Sequence, residues 1–340
     1  MRTILISLLC ILSLATVQAQ DKDTRIKQIR SAYAKAKEKV EQNGKNGRSP
    51  KDMQVVVNDV TDEDGEIYDW TEITYYFDES EHDYTSVKRP YFIIEKWTSH
   101  QHVLYHEMLL NPEDSTLMFS YRRGETDAGF VVESRYYYDQ SGKLIEQKHN
   151  TPNSWSDADS EQEEARRFKD VFRMVNAKEY LSSIDHDQSS LVAGNPARLK
   201  HIRSLYAQAK DKVAKDDAKD EGKRSIHITV RDGGEERPPR TVEHHIYFDS
   251  NTTPYFISQH RYAMGFDHYG EFLFEPKTTK LVFSYSRGQE ENETREWRYY
   301  YNEKGRCFEV KSNAEEIDYG YSDKLAAQDY LLIFRKLMEK

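Results

Sequence analysis

Apolar residues recur at alternating spacings of three and four near the start of the chain, at Ile26, Ile29, Tyr33, Ala36 and Val40. Lys, Arg and Glu fill the positions between them. That period predicts an amphipathic helix docked on a core along one stripe. The stripe returns at Leu199, Ile202, Tyr206, Ala209 and Val213. Asn195 followed by Pro196 supplies an N-cap and a first-turn proline for this second helix, and Asp23 or Thr24 caps the first. Over Thr24–Val40 and Ala197–Val213, eleven of seventeen positions are identical.

Short segments rich in Tyr, Phe, Val and Thr follow each helix. They are separated by turn signals and read as strands. Met53 to Val60 and Glu66 to Phe77 flank Asp62-Glu63-Asp64-Gly65, and their counterparts are Ser225 to Arg231 and Thr241 to Phe248. Both second strands end in Tyr-Phe-Asp, and both third strands open with Pro-Tyr-Phe-Ile, at Pro90 and Pro254. The path from Asp78 to Pro90 is seven residues longer than that from Asp249 to Pro254, which predicts a loop insertion within 79–89. Phe-Ser-Tyr and Arg-Tyr-Tyr-Tyr also occur in both halves, and an amphipathic helix closes each.

A period of this kind decides the fold before any single motif does. The predicted class is α+β: a tandem duplication of a helix, an antiparallel β-meander of about six or seven strands, and a helix, with helices on one face. The predicted bounds are 20–176 and 196–340, joined by a linker at 177–195.

Residues 1–19 read as a secretory signal peptide. Arg2 precedes the apolar run Ile4 to Ala15, and Val17-Gln18-Ala19 gives a small-x-small cleavage signal. No stretch is apolar for long enough to predict a spanning helix. Beyond residue 19 the only cysteine is Cys307, so no internal disulfide is expected. The predicted location is the periplasm or the extracellular surface of a Gram-negative bacterium. A formal net charge of -10 argues against nucleic acid as a partner.

The repeated chemistry is a cross-strand ladder. A hairpin register places Arg123 opposite Glu133, Tyr121 opposite Arg135 and Phe119 opposite Tyr137. In the second half it places Arg287 opposite Glu296, Tyr285 opposite Arg298 and Phe283 opposite Tyr300. This predicts an ion pair, a cation–π pair and an aromatic pair in each half, which set register and offer a polar–aromatic face to a ligand. His100, His102 and His106 share strand parity, which makes them candidates for a metal site built on imidazole. His82, in the predicted insertion, lies near them in sequence. The acidic run Asp62 to Glu66 departs from calcium-loop spacing and reads as a hairpin turn. No nucleophile elbow, P-loop or dinucleotide fingerprint occurs. No cofactor is expected. The expectation is a non-catalytic binding or interaction module for a glycan, a peptide or an envelope protein. The alternative is an exported hydrolase with a first-half site, metal-dependent if the histidines assemble.

Overall fold

The computed structural model describes residues 2–45, 50–60, 67–82, 85–99, 102–125, 129–151, 157–177, 191–192, 194–218, 224–232, 240–263, 266–290, 293–314 and 321–338. Helix α1 (Arg2–Gln42) is followed by strands β1 (Asp52–Val60), β2 (Ile67–His82), β3 (Thr85–Ser99), β4 (His102–Leu110), β5 (Leu117–Glu125), β6 (Val131–Tyr138) and β7 (Leu144–His149). Helices α2 (Ala158–Ala177) and α3 (Pro196–Asp217) come next. The chain continues through β8 (Ser225–Asp232), β9 (Arg240–Phe248), β10 (Pro254–Ala263), β11 (Phe266–Phe274), β12 (Leu281–Glu290), β13 (Glu293–Tyr301) and β14 (Cys307–Ser312) to α4 (Tyr321–Met338).

The class is α+β, with four helices and fourteen antiparallel strands in one sheet among the described residues. The sheet thus holds more strands than the six or seven of one predicted meander, because β1–β7 and β8–β14 join in a single sheet. Each meander runs outward from the middle, and β1 pairs with β8 at the centre. Val55 lies opposite Ile228 there, and both are fully buried. The seam forms because β1 and β8 each leave one edge unpaired by their own hairpins, and an unpaired edge is a template for another strand.

The helices lie on both faces of the sheet, which corrects the one-face expectation. Alternate residues of a strand point to opposite faces. On one face, α1 and α3 cover Phe92, Phe119 and Tyr137, and Phe256, Phe283 and Tyr300, respectively. On the other, Phe168 and Phe172 of α2 pack on Tyr75 and Phe77, and Phe334 of α4 packs on Phe248. The cause is visible in Tyr136-Tyr137-Tyr138 and Tyr299-Tyr300-Tyr301, all buried. Consecutive large rings project to both sides, so both sides need cover. α2 and α4 also touch each other, and one apolar cluster runs from α2 through Val55 and Ile228 to α4.

The segment predicted as a loop insertion extends the β2–β3 hairpin instead. Its ladder continues from Asp78 opposite Arg89 to His82 opposite Thr85. Asn195 caps α3 as expected, its side chain accepting from the Ala197 and Arg198 backbone N–H groups at 3.0 and 3.2 Å. From the linker, Val192 donates its backbone N–H to Cys307 on the outer strand β14 at 3.2 Å. Residues 178–190 lie outside the described set, as does the acidic turn 61–66. Among the described residues, no helix is long and apolar enough to cross a membrane.

Candidate functional site

Two groups of side chains stand out, one in each half alike and one in the first half alone. The repeated group lies on the face shared by α1 and α3. Strands β5–β6 and β12–β13 pair in the register that the sequence predicts: Tyr121 opposite Arg135, and Tyr285 opposite Arg298. The Arg135 guanidinium sits 5.2 Å from the Tyr121 ring centroid, and that of Arg298 sits 5.1 Å from Tyr285. Phe119 with Tyr137, and Phe283 with Tyr300, each place their ring centroids 5.0 Å apart.

The expected ion pairs of Arg123 with Glu133 and of Arg287 with Glu296 do not form. Glu133 instead accepts from Arg135 at 2.9 Å and from the Tyr121 hydroxyl at 2.9 Å. Glu296 likewise accepts from Arg298 at 2.8 Å and from Tyr285 at 3.0 Å. Facing Cα atoms do not oblige long side chains to meet. Arg135 and Arg298 each reach two residues along their own strand, where the tyrosine ring supports the guanidinium. Arg123 is left exposed, and Arg287 lies over the Tyr269 ring at 5.9 Å.

The helices complete the group. Arg203 of α3 is exposed and lies over the Tyr300 ring at 5.9 Å, and Arg30 of α1 lies over Tyr137 at 5.7 Å. Neither guanidinium forms an ion pair among the described residues. In the second half Arg203, Tyr206, Tyr285, Arg298 and Tyr300 line an open cleft of about 350 Å³, with Phe283 and Ile202. Beneath each helix lies a buried carboxylate. Glu107 accepts from Tyr33, Lys37 and Tyr105, and Glu271 accepts from Tyr206, Lys210 and Tyr269. These carboxylates are 1% and 2% exposed, so they fix the helix to the sheet and leave the Arg–Tyr surface free for other contacts.

The unrepeated group lies under α2. His106 is fully buried, with Glu95 of β3, Ser120 and Arg122 of β5, and Glu161 and Glu164 of α2 around it. Nε2 of His106 is 2.8 Å from Glu161 and 2.9 Å from the Ser120 hydroxyl. Nδ1 is 3.4 Å from Glu95 and 3.4 Å from Glu164. Arg122 pairs with Glu164, and its Nε is 3.0 Å from Glu161. Burial and the Arg122 charge both oppose an imidazolium, but the Glu161 and Glu164 carboxylates outweigh them and raise the His106 pKa. Burial would raise Glu161 and Glu164, yet His106 and Arg122 hold both well below the usual carboxylate range. The group is thus an ionised network, buried at His106, Ser120 and Glu161 and partly exposed at Arg122 and Glu164, in which each member lowers the desolvation cost of the others.

His102 lies on β4 opposite Ser99, but its side chain and all of His100 fall outside the described residues. His82 lies on β2, its side chain equally outside. The histidine that is described keeps company with carboxylates instead of other imidazoles. No spacing in the sequence ties Glu95, Ser120 and Arg122 to His106, and Glu161 and Glu164 lie in the acidic stretch Asp157 to Glu164, which lacks calcium-loop spacing. A signal for one of them was present: Glu161 lies on the helical stripe that continues through Ala165, Phe168, Phe172 and Val175, all buried. No protein-family model matches the chain, and no curated protein matches its sequence.

Proposed function

We propose that the chain is an exported, non-catalytic binding module of a Gram-negative envelope, built by duplication of a helix–meander–helix unit. Its ligand surface is the Arg–Tyr cleft beside α3, with the matching Arg–Tyr surface beside α1. The observation that carries this reading is the same construction occurring twice: Arg30, Tyr33, Tyr121, Arg135 and Tyr137, and Arg203, Tyr206, Tyr285, Arg298 and Tyr300. A guanidinium without a carboxylate partner recognises an anionic oxygen pair. Tyrosine rings beside it take the flat face of a sugar or side chain. A cleft of about 350 Å³ lies at the small-ligand end of the usual range. A carboxylate-bearing glycan unit or peptide end fits that chemistry.

The test is a screen of glycans and peptides on the chain lacking residues 1–19, each acidic ligand matched with a neutral analogue. Binding of acidic members, weakened by Arg203→Ala and Arg30→Ala, supports the reading. Equal binding of neutral analogues, or no binding, ends it.

A hydrolase confined to the first half is the second reading, favoured by the gathering of Ser120, His106 and three carboxylates in that half alone. Burial argues against it, since His106, Ser120 and Glu161 show no exposed surface. Turnover of ester, glycoside or peptide substrates that is abolished by Ser120→Ala would reverse the ranking.

A further inference from the structure

We propose that Glu95, Glu164 and His106 Nδ1 form a binding site for one divalent first-row metal ion, with zinc the fitting choice, that pins α2 to the sheet. This site is independent of the Arg–Tyr surfaces. The three ligand atoms all lie within 4.8 Å of one another. Nδ1 is 3.4 Å from each carboxylate oxygen. Zinc bonds of about 2.0–2.1 Å at tetrahedral angles place neighbouring ligands about 3.3 Å apart. The donor set of one imidazole and two carboxylates suits zinc and its first-row neighbours, and offers too few oxygens for calcium.

Two further features point to an ion. The other ring nitrogen, Nε2, is 2.8 Å from Glu161, which is 0% exposed. A metal-bound imidazole ordinarily turns its second nitrogen to a carboxylate in this way, which fixes ring and tautomer. Glu95 is the second feature. It is 6% exposed, yet its one hydrogen-bond partner among the described residues is Nδ1 at the long distance of 3.4 Å. The charges of His106 and Arg122 lie beside this carboxylate, but its one direct donor is a long contact, so a bonded metal ion would complete it.

Charge is consistent with the proposal. Three carboxylates face one guanidinium, so a divalent ion with a neutral imidazole brings the group to neutrality. Arg122 Nη2 now lies 3.3 Å from Nδ1 and beside Glu164. On metal binding that nitrogen moves off Nδ1, while Nε keeps Glu161. Nδ1 gives its lone pair to the metal, and any proton it carries leaves to solvent. The remaining coordination position is filled by water or by the second oxygen of Glu164.

The experiment uses untagged protein stripped with chelator, dialysed, and titrated with zinc, with cobalt as a spectroscopic probe. The expected result is uptake of one ion per chain, a raised melting temperature, and a cobalt absorption of tetrahedral intensity. Glu95→Gln and Glu164→Ala, chosen because the first is isosteric and the second lies at a partly exposed position, each lower affinity at least about tenfold while far-ultraviolet dichroism stays native. Glu161→Gln, acting through His106, lowers it by about tenfold or more. The proposal is overturned if the stripped protein takes up no zinc or cobalt. It is equally overturned if uptake survives Glu95→Gln and Glu164→Ala unchanged, and loss on His227→Ala with His245→Ala would then place the ion on that half-buried imidazole pair.

Discussion

Arg231 donates through Nε to Asp52 at 2.9 Å, joining residues 179 positions apart across the β1–β8 seam. Asp52 is 5% exposed, and burial raises its pKa against the opposing pull of Arg231. Asn43 supplies a second donor at 2.9 Å. Removing the guanidinium leaves a buried charge with one neutral donor. Arg231→Met should therefore cost about 2 kcal/mol, less than a fully buried pair because the arginine is partly exposed. Adding Asp52→Asn should recover most of it. A urea-denaturation double-mutant cycle checks this, and additive costs would show that the two residues do not interact.

The same seam makes a prediction about cooperativity. One apolar cluster includes Phe172 of α2, Val55 and Ile228 of the seam, and Phe334 of α4. Phe172 packs at 5.5 Å from Phe77 and 5.7 Å from Tyr75. Truncating it to alanine should cost about 3–5 kcal/mol. That loss should appear as one shifted transition for the whole chain, with calorimetric and van't Hoff enthalpies in agreement. Two separated transitions, only the first of them shifted, would mean that the halves unfold independently.

Acid should destabilise the chain through a pair of stacked imidazoles. His227 and His245 face each other across β8 and β9 with ring centroids 3.9 Å apart. Burial, followed by the neighbouring His227, lowers the His245 pKa to about 4, and burial lowers that of His227. In the unfolded chain both titrate near 6.5. The unfolded state therefore binds more protons as pH falls from about 6.5 toward 4, and stability falls across that window. His245→Phe keeps the stack without the titration and should flatten the slope there. An unchanged slope between pH 6.5 and 4 in that variant would assign the acid sensitivity elsewhere.

Local signals in the sequence reached the helices and the ladders, and long-range ones did not. The stripe from Ile26 to Val40 and the hairpin pairs Phe119–Tyr137 and Phe283–Tyr300 follow from period and turn spacing, which are properties of neighbouring residues. The seam was hidden because nothing in β1 or β8 distinguishes an edge that stays open from one that pairs. The true partner of Glu133 was hidden because register points to Arg123 directly opposite, while the bond forms with Arg135 two residues along the same strand, a choice set by side-chain reach. The group around His106 draws on β3, β4, β5 and α2. Its acids look in sequence like the solvated acids elsewhere, and only Glu161, on an apolar stripe, betrays burial.

The buried carboxylates beneath α1 and α3 should behave as matched anchors. Glu107 accepts from the phenols of Tyr33 and Tyr105 on different oxygens and from Lys37, so a neutral amide of the same shape keeps one acceptor oxygen, turns an NH2 donor to the other hydroxyl and loses the ion pair. Glu107→Gln should cost about 1 kcal/mol. Glu107→Leu removes every acceptor and leaves the Tyr33 and Tyr105 hydroxyls partly buried without their partner, which should cost about 3 kcal/mol. Glu271→Gln and Glu271→Leu should show the same ordering through Tyr206, Tyr269 and Lys210. The loss is local in origin: hydrogen exchange should quicken first in α1 for the Glu107 variants and in α3 for the Glu271 variants, with α2 and α4 protected longer. Equal costs for Gln and Leu would show that charge, not the count of accepted hydrogen bonds, anchors the helix. Exchange quickening uniformly across all four helices would show that no separate anchor exists.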